Sequence, residues 1–194
     1  LNFNFIKIDL SNLEAVKKIT FPKLNNEVLL INNAAQIGEI MPLNLKKETS
    51  IINEYNLNII TPTLLCAKFI TTYSDNNKLI LNVSSGAANN AIASWNTYCS
   101  AKSALDSLTS VIKEEKYSKL SIFSIHPGVI DTEMQKKIRA TAPDLFPLLN
   151  KFTNYYNNNQ LEKPNVIAEK FLYIIQNHDK FNQNIVSIRD ININ

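Results

Sequence analysis

Glycine is nearly missing from this chain. Only Gly38, Gly86 and Gly128 occur among 194 residues, so no glycine-rich turn that cradles a phosphate is present. Cysteine is limited to Cys66 and Cys99 in unrelated contexts. That excludes a disulfide framework and fits a reducing compartment. Two histidines without a His/Cys cluster leave no pattern for a catalytic zinc, and no metal site is expected. No apolar run is long enough to cross a membrane. The start, LNFNFIKIDLSN, has no charged leader followed by an apolar block, so no signal peptide and a cytoplasmic location are expected. Neither sign of charge dominates: 20 Lys and Arg face 17 Asp and Glu, a net of +3. The Lys pairs at 17–18, 46–47 and 136–137 are isolated, which argues against a nucleic-acid partner. Methionine stands only at 41 and 134. Because Leu1 is no initiator, the chain is expected to continue upstream of it.

What remains reads as one globular domain over 1–194. Hydrophobic residues make up 45% and charged residues 19%, a balance that builds a core rather than a disordered chain. Strand and helix patterns alternate. FNFIKID (3–9) reads as a strand and SNLEAVKKI (11–19) as a short helix capped by Ser11. EVLLINN (27–33) and KLILNVS (78–84) are short continuous apolar runs, as expected of strands buried on both faces. A long helix is expected over 48–73 and another from Ser94 to about Tyr117. The second places Ala101, Ala104, Leu105, Leu108, Val111 and Ile112 on one face. LSIFSI (120–125) is a strand ended by His126-Pro127-Gly128. Helical pieces follow between 131 and 151, then a polar loop at 154–160, a helix at 165–178 and a last strand at 184–188. The alternation predicts an α/β fold with a parallel sheet.

Tyr98 and Lys102 are four residues apart on a predicted helix and therefore share a face. A free tyrosine has a pKa near ~10, too high for proton transfer at neutral pH. A neighbouring ammonium favours the phenolate, and such a pair can pass a proton to or from a carbonyl or alcohol oxygen. Tyr-x-x-x-Lys alone occurs by chance in many helices. Its neighbours add weight: Ser85, INNAA (31–35) and HPGVIDT (126–132) each end a predicted strand. Open α/β sheets bind ligands at that carboxyl rim.

With these residues in place, the chain resembles the short-chain dehydrogenases/reductases. The likeness rests on Asn32-Asn33-Ala34-Ala35 for the family's Asn-Asn-Ala-Gly, on Ser85, on Tyr98-x-x-x-Lys102, and on Pro127-Gly128 with Thr132. NVSSGA, WNTYCSAK and PGVIDTEMQKKIR look most like the sepiapterin reductase and benzil reductase branch. The resemblance implies a Rossmann-like, doubly wound parallel sheet. It implies an NADP-dependent carbonyl reductase, with NAD left open, acting on a ketone or diketone of the pterin side-chain or aromatic type.

The resemblance also assigns roles. Tyr98 would be the general acid, Lys102 would lower its pKa and hold the nicotinamide ribose, and Ser85 would hydrogen-bond the substrate carbonyl. Asn58 falls where the family places a fourth catalytic residue. Asn33, Ala34, Pro127, Gly128 and Thr132 would border the cofactor, and Asp9 would meet its adenine edge. Trp95 and Asp190 would touch substrate beneath a mobile lid at 131–162. A homodimer through the long helices is one assembly it allows.

Plainer readings stand beside these. Asp9 with Ser11 is also an ordinary turn, Thr132 a helix cap, His126 a structural residue and Asp190 a solvated terminus. Two departures from the family pattern matter. Ala35 replaces a glycine, and the phosphate loop Thr-Gly-x-x-x-Gly-x-Gly is absent. Two β–α units, roughly 50 residues at half or more of a ~30-residue βαβ motif each, are expected to be missing before Leu1. The competing reading is a non-catalytic nucleotide-binding or interaction protein that keeps the fold. Finally, Pro62 lies inside the predicted long helix and removes the N–H that would bond Asn58 O, so a bend is expected there.

Overall fold

A computed structural model describes residues 4–193. Four parallel strands form one sheet in the order β1-β2-β3-β4: β1 Val28–Asn32, β2 Lys78–Val83, β3 Leu120–His126 and β4 Ile185–Ser187. The helices are α1 Leu13–Val16, α2 Glu48–Tyr55, α3 Thr61–Thr72, α4 Asn96–Glu114, α5 Glu133–Arg139, α6 Leu149–Asn157 and α7 Pro164–Gln176. This is the expected Rossmann-like α/β arrangement.

Strand alternation divides the core in two. Ile80 and Ile122 face α3 and α4, where they meet Cys66, Phe69, Tyr73 and Ile112. Leu79, Leu81, Phe123 and Ile125 point to the other face, onto Ile167 and Ile174 of α7. In the register, Leu29 pairs with Leu79 and Ile31 with Leu81, so both point to the α7 side. They are nevertheless 41% exposed. The expectation that β1 is buried on both faces therefore fails. Among the described residues one helix, α7, covers this side of the sheet, and it sits over β2, β3 and β4.

The expected first strand does not form. Residues 4–9 pair with no strand, and Phe5 and Ile6 are exposed. An extended segment becomes a strand only against a hydrogen-bonded neighbour, and these residues have none among the described ones. The cap expected at Ser11 belongs to Asn12, whose side chain accepts from the N–H groups of Glu14 and Ala15. The expected loop at 154–160 starts later. α6 runs through Asn157 because Phe152 and Tyr155, three apart, pack edge to face.

The long helix at 48–73 is one body with a flaw where Pro62 predicts it. A π-turn, Asn56–Ile60, joins α2 to α3, with the Thr61 N–H bonding Asn56 O. A π-turn is a usual answer to a missing link in the α-helical ladder.

β1 and β2 are also tied by polar side chains. Asn32 Nδ2 donates to Asn82 Oδ1 at 2.8 Å, and Asn82 Nδ2 donates to Thr109 Oγ1 of α4 at 2.9 Å. Both asparagines are buried, and the network leaves neither amide unpaired at the contact, as burial of polar groups requires.

Candidate active site

β2 ends at Val83, and Ser84 still bonds across the sheet to Ile125 O. Ser85 follows with extended backbone, and its Oγ accepts from the Ala87 N–H at 3.1 Å. The chain returns through Ser94, whose left-handed φ of +71° turns it into α4. Ser94 Oγ also donates to Leu145 O at 2.6 Å, which fixes the 140–148 segment over the helix start. The first turns of α4 then present Tyr98 and Lys102 together towards Ser85. All three line one cavity of about 620 Å³ at the carboxyl ends of the strands, as their spacing predicts.

Part of the expected set lies in the remaining wall, and part lies outside it. Asn33, Trp95, Pro127, Gly128 and Thr132 line the cavity. Ala34 does not; Ala35, the residue that replaces the family's glycine, does. Thr132 stands at the N-cap of α5 but makes no capping bond.

Asp9 does not line this cavity. Its carboxylate accepts from the Ser11 N–H and Oγ at 2.9 and 2.7 Å, and these bonds hold it below the usual carboxylate range. Asp190 is exposed and does not line the cavity; its neighbour Arg189 does. The short turn Ile188–Asp190 after β4 sets the phase by one residue.

Asn58 lies behind the wall rather than in it. It is 1% exposed, and its side chain grips the Gln36 backbone twice: Oδ1 accepts from N–H at 3.0 Å and Nδ2 donates to O at 2.8 Å. Asn58 thereby holds the segment after β1 that carries Asn33 and Ala35. A second device works nearby. Lys46 Nζ donates to Glu54 Oε2 at 2.5 Å and to Thr97 Oγ1 at 2.7 Å, while Glu54 Oε1 accepts from the Glu39 N–H. Gly38 makes room for this buried pair: a Cβ there would lie 2.0 Å from the Glu54 carboxyl group.

The electrostatics differ from the expectation in one respect. Burial pushes the Tyr98 phenol above its ordinary value, the Ser85 side chain opposes that, and Cys99 adds to it. Lys102 was expected to lower Tyr98. Its Nζ instead donates to Val83 O at 2.6 Å and stands 5.8 Å from the Tyr98 ring centroid. Burial brings Lys102 itself down to about 8, against the pull of Asp106. A phenol kept protonated beside a buried cation remains a competent proton donor.

The outer wall is aromatic. Trp95 stacks on Phe146 with centroids 5.6 Å apart and touches Phe152 at 5.0 Å and Tyr98 edge-on at 5.8 Å. α5 and α6 thus roof the cavity as a packed layer with Ile138, Phe146 and Phe152 in its core. Sequence reasoning missed this roof's composition, together with Arg189 and the Asp106–His126 pair. Asp106 carried a signal, since it repeats the four-residue step from Tyr98 to Lys102.

Comparison with known proteins agrees with this geometry. The family described as short chain dehydrogenase matches residues 2–143. A benzil reductase ((S)-benzoin forming) of Bacillus subtilis (strain 168) is 30% identical over 182 residues, 88% of this chain and 75% of its own. A sepiapterin reductase of Mus musculus is 30% identical over 169 residues, 84% of this chain and 64% of its own. The crystal structure of a short chain dehydrogenase/reductase from Saccharomyces cerevisiae superposes with a TM-score of 0.81 at 23% identity, covering 95% of this chain and 76% of that one. Among the described residues no helix is long and apolar enough to cross a membrane. On these grounds the chain belongs to the short-chain dehydrogenase/reductase family of oxidoreductases, which use nicotinamide cofactors.

Proposed function

We propose that the protein is a carbonyl reductase that uses NADP and reduces an aromatic ketone or diketone, with Tyr98 as the proton donor. The observation that supports this best is the shared cavity, where Ser85, Tyr98 and Lys102 meet an aromatic wall. The residues fit the nicotinamide–ribose end of the cofactor. Lys102 and Asn33 supply polar groups, and Gly128 at φ +79° leaves the backbone after β3 open to close approach. Pro127 and Thr132 border the same stretch. The cofactor's chemistry when bound is hydride donation to the carbonyl carbon.

The chain's own groups manage the oxygen. Ser85 Oγ donates a hydrogen bond to the carbonyl oxygen as negative charge develops on it. Tyr98 Oη delivers its proton to that oxygen and completes the alcohol. Lys102 compensates the phenolate left behind and orients the ribose hydroxyls. Asn58 acts through its main-chain carbonyl, which Pro62 cannot occupy; a bridging water would link it to Lys102 Nζ and return a proton to the site.

The aromatic wall and the outward position of Asp190 favour an aromatic diketone over a pterin. The test is turnover with benzil and with sepiapterin, each supported by NADPH and by NADH. Preference for benzil with NADPH is expected. Faster reduction of sepiapterin would overturn the substrate assignment, and faster turnover with NADH the cofactor assignment.

A further inference from the structure

One polar cluster behind the cavity wall has no part in this scheme. Asp106 lies four residues beyond Lys102 on α4, so the two side chains share a helix face. It is 6% exposed, and both carboxylate oxygens are engaged. Oδ1 accepts from Ser124 Oγ at 2.5 Å, and Oδ2 faces His126 Nε2 at 2.7 Å. Ser124 and His126 both belong to β3, and His126 lines the same cavity as Lys102. The Asp106 carboxylate is therefore anchored to the sheet from two buried positions on one face of β3, two residues apart.

Lys102 needs such a partner. It is 2% exposed, and Val83 O is its one hydrogen-bond acceptor among the described residues. A carbonyl bears only a partial charge, so it cannot offset the loss of hydration of a buried ammonium. Among the described residues, the other groups packed round Lys102 supply no free negative charge. Tyr98 precedes it on α4 as a protonated phenol, and β2 contributes the neutral Val83 and Ser84. His126 faces Asp106 from β3. Glu54 of α2 is closed on Lys46 and reaches α4 through Thr97.

We infer that Asp106, held by Ser124 and His126, is a positioning residue that keeps Lys102 in its ammonium form at the cavity. The inference rests on the reductase reading for its purpose. Its content is a charge state, which can be read without turnover. Burial pulls the Lys102 pKa down, and Asp106 is the charged group that opposes the fall. Asp106 can do so across neutral pH because it is itself ionised. Burial raises its pKa, but hydrogen bonds from His126, Ser124 and, more weakly, Ser84 outweigh that and leave it lowered. The Nε2–H tautomer of His126 is the one that donates to Oδ2, and it leaves Nδ1 as an acceptor.

The experiment follows the Lys102 Cε resonance of ¹³C-lysine-labelled protein through a pH titration, with assignment from the spectrum of Lys102→Met. The native midpoint should fall near 8. In Asp106→Asn it should drop by at least about one unit, a tenfold loss of proton affinity, and Asp106→Glu should recover most of it. His126→Gln keeps the carboxylate and should leave the midpoint within about half a unit, well below that expected for loss of a neighbouring charge. A folded Asp106→Asn with an unchanged midpoint overturns the inference. If Asp106→Asn does not fold, ¹⁵N spectra of His126 in the native protein decide the matter. The Nε2–H tautomer over neutral pH supports an ionised Asp106, and the Nδ1–H tautomer contradicts it. Absent turnover with a normal Lys102 titration would count against the reductase reading alone.

Discussion

β1 and β2 carry nearly interchangeable sequences, VLLIN and KLILNV, yet they live in different surroundings. In β2 every residue from Lys78 to Asn82 is buried, and the strand leads directly into Ser85 and the Lys102 contact at Val83. In β1 the residues pointing to the α7 side, Leu29 and Ile31, are substantially exposed. An apolar run thus specifies a strand, but its burial depends on which helices later cross it. Ser85 follows the strand that is packed from both sides, while the ends of β1 and β3 contribute Asn33 and Gly128 to the same cavity.

Substitutions should reveal the contrast as a gradient. Leu81→Ala removes a fully buried side chain from between β2 and α7 and should cost about 2–5 kcal/mol, read from urea unfolding. Breaking the Lys46–Glu54 pair by Glu54→Ala strands a buried cation and the Glu39 N–H, with an expected loss of about 3–5 kcal/mol if the site cannot rehydrate. A similar loss from Ile31→Thr would erase the distinction between the strands. That change is expected to stay within about 0.5 kcal/mol, as for other exposed positions.

The β2 rim should also show in the pH dependence of stability. The Lys102 pKa is about 8 in the fold against an ordinary 10.5. Between those values the unfolded chain holds the proton more tightly, so Lys102's contribution to stability rises with pH across this window. It is lost again as pH falls through about 8. The span caps the effect at about 3 kcal/mol. Tyr98 acts oppositely at higher pH: its raised pKa keeps it protonated in the fold, and that weakens the fold once the unfolded phenol ionises near ~10. Lys102→Met should abolish the rise between 8 and 10. The size of that change lies between those of Leu81→Ala and Ile31→Thr.

Much of this arrangement was legible in the sequence, because it depends on local periodicity. The four-residue step from Tyr98 to Lys102, the strand ends at Ser85 and Pro127, and the missing N–H of Pro62 all act within one element. What was illegible depends on partners distant in sequence. Residues 4–9 have strand composition but pair with no strand among the described residues. The exchange of Asp190 for Arg189 at the cavity turns on the phase of one short turn after β4. The direction of the Tyr98 shift follows from the aromatic roof that α5 and α6 place over it, and no spacing rule encodes that burial. Asp106 lay in plain view at the next four-residue step, but its meaning came only with Ser124 and His126 beside it.

The central claim is that Tyr98 gives the proton in carbonyl reduction. It is tested most directly by measuring kcat for Tyr98→Phe alongside nicotinamide nucleotide binding. Loss of the general acid should lower kcat by about 10²–10⁴-fold. Nucleotide affinity and the unfolding midpoint should be nearly unchanged, since the ring that packs on Trp95 is retained. A Tyr98→Phe protein that reduces its substrate at close to the native rate would contradict the account.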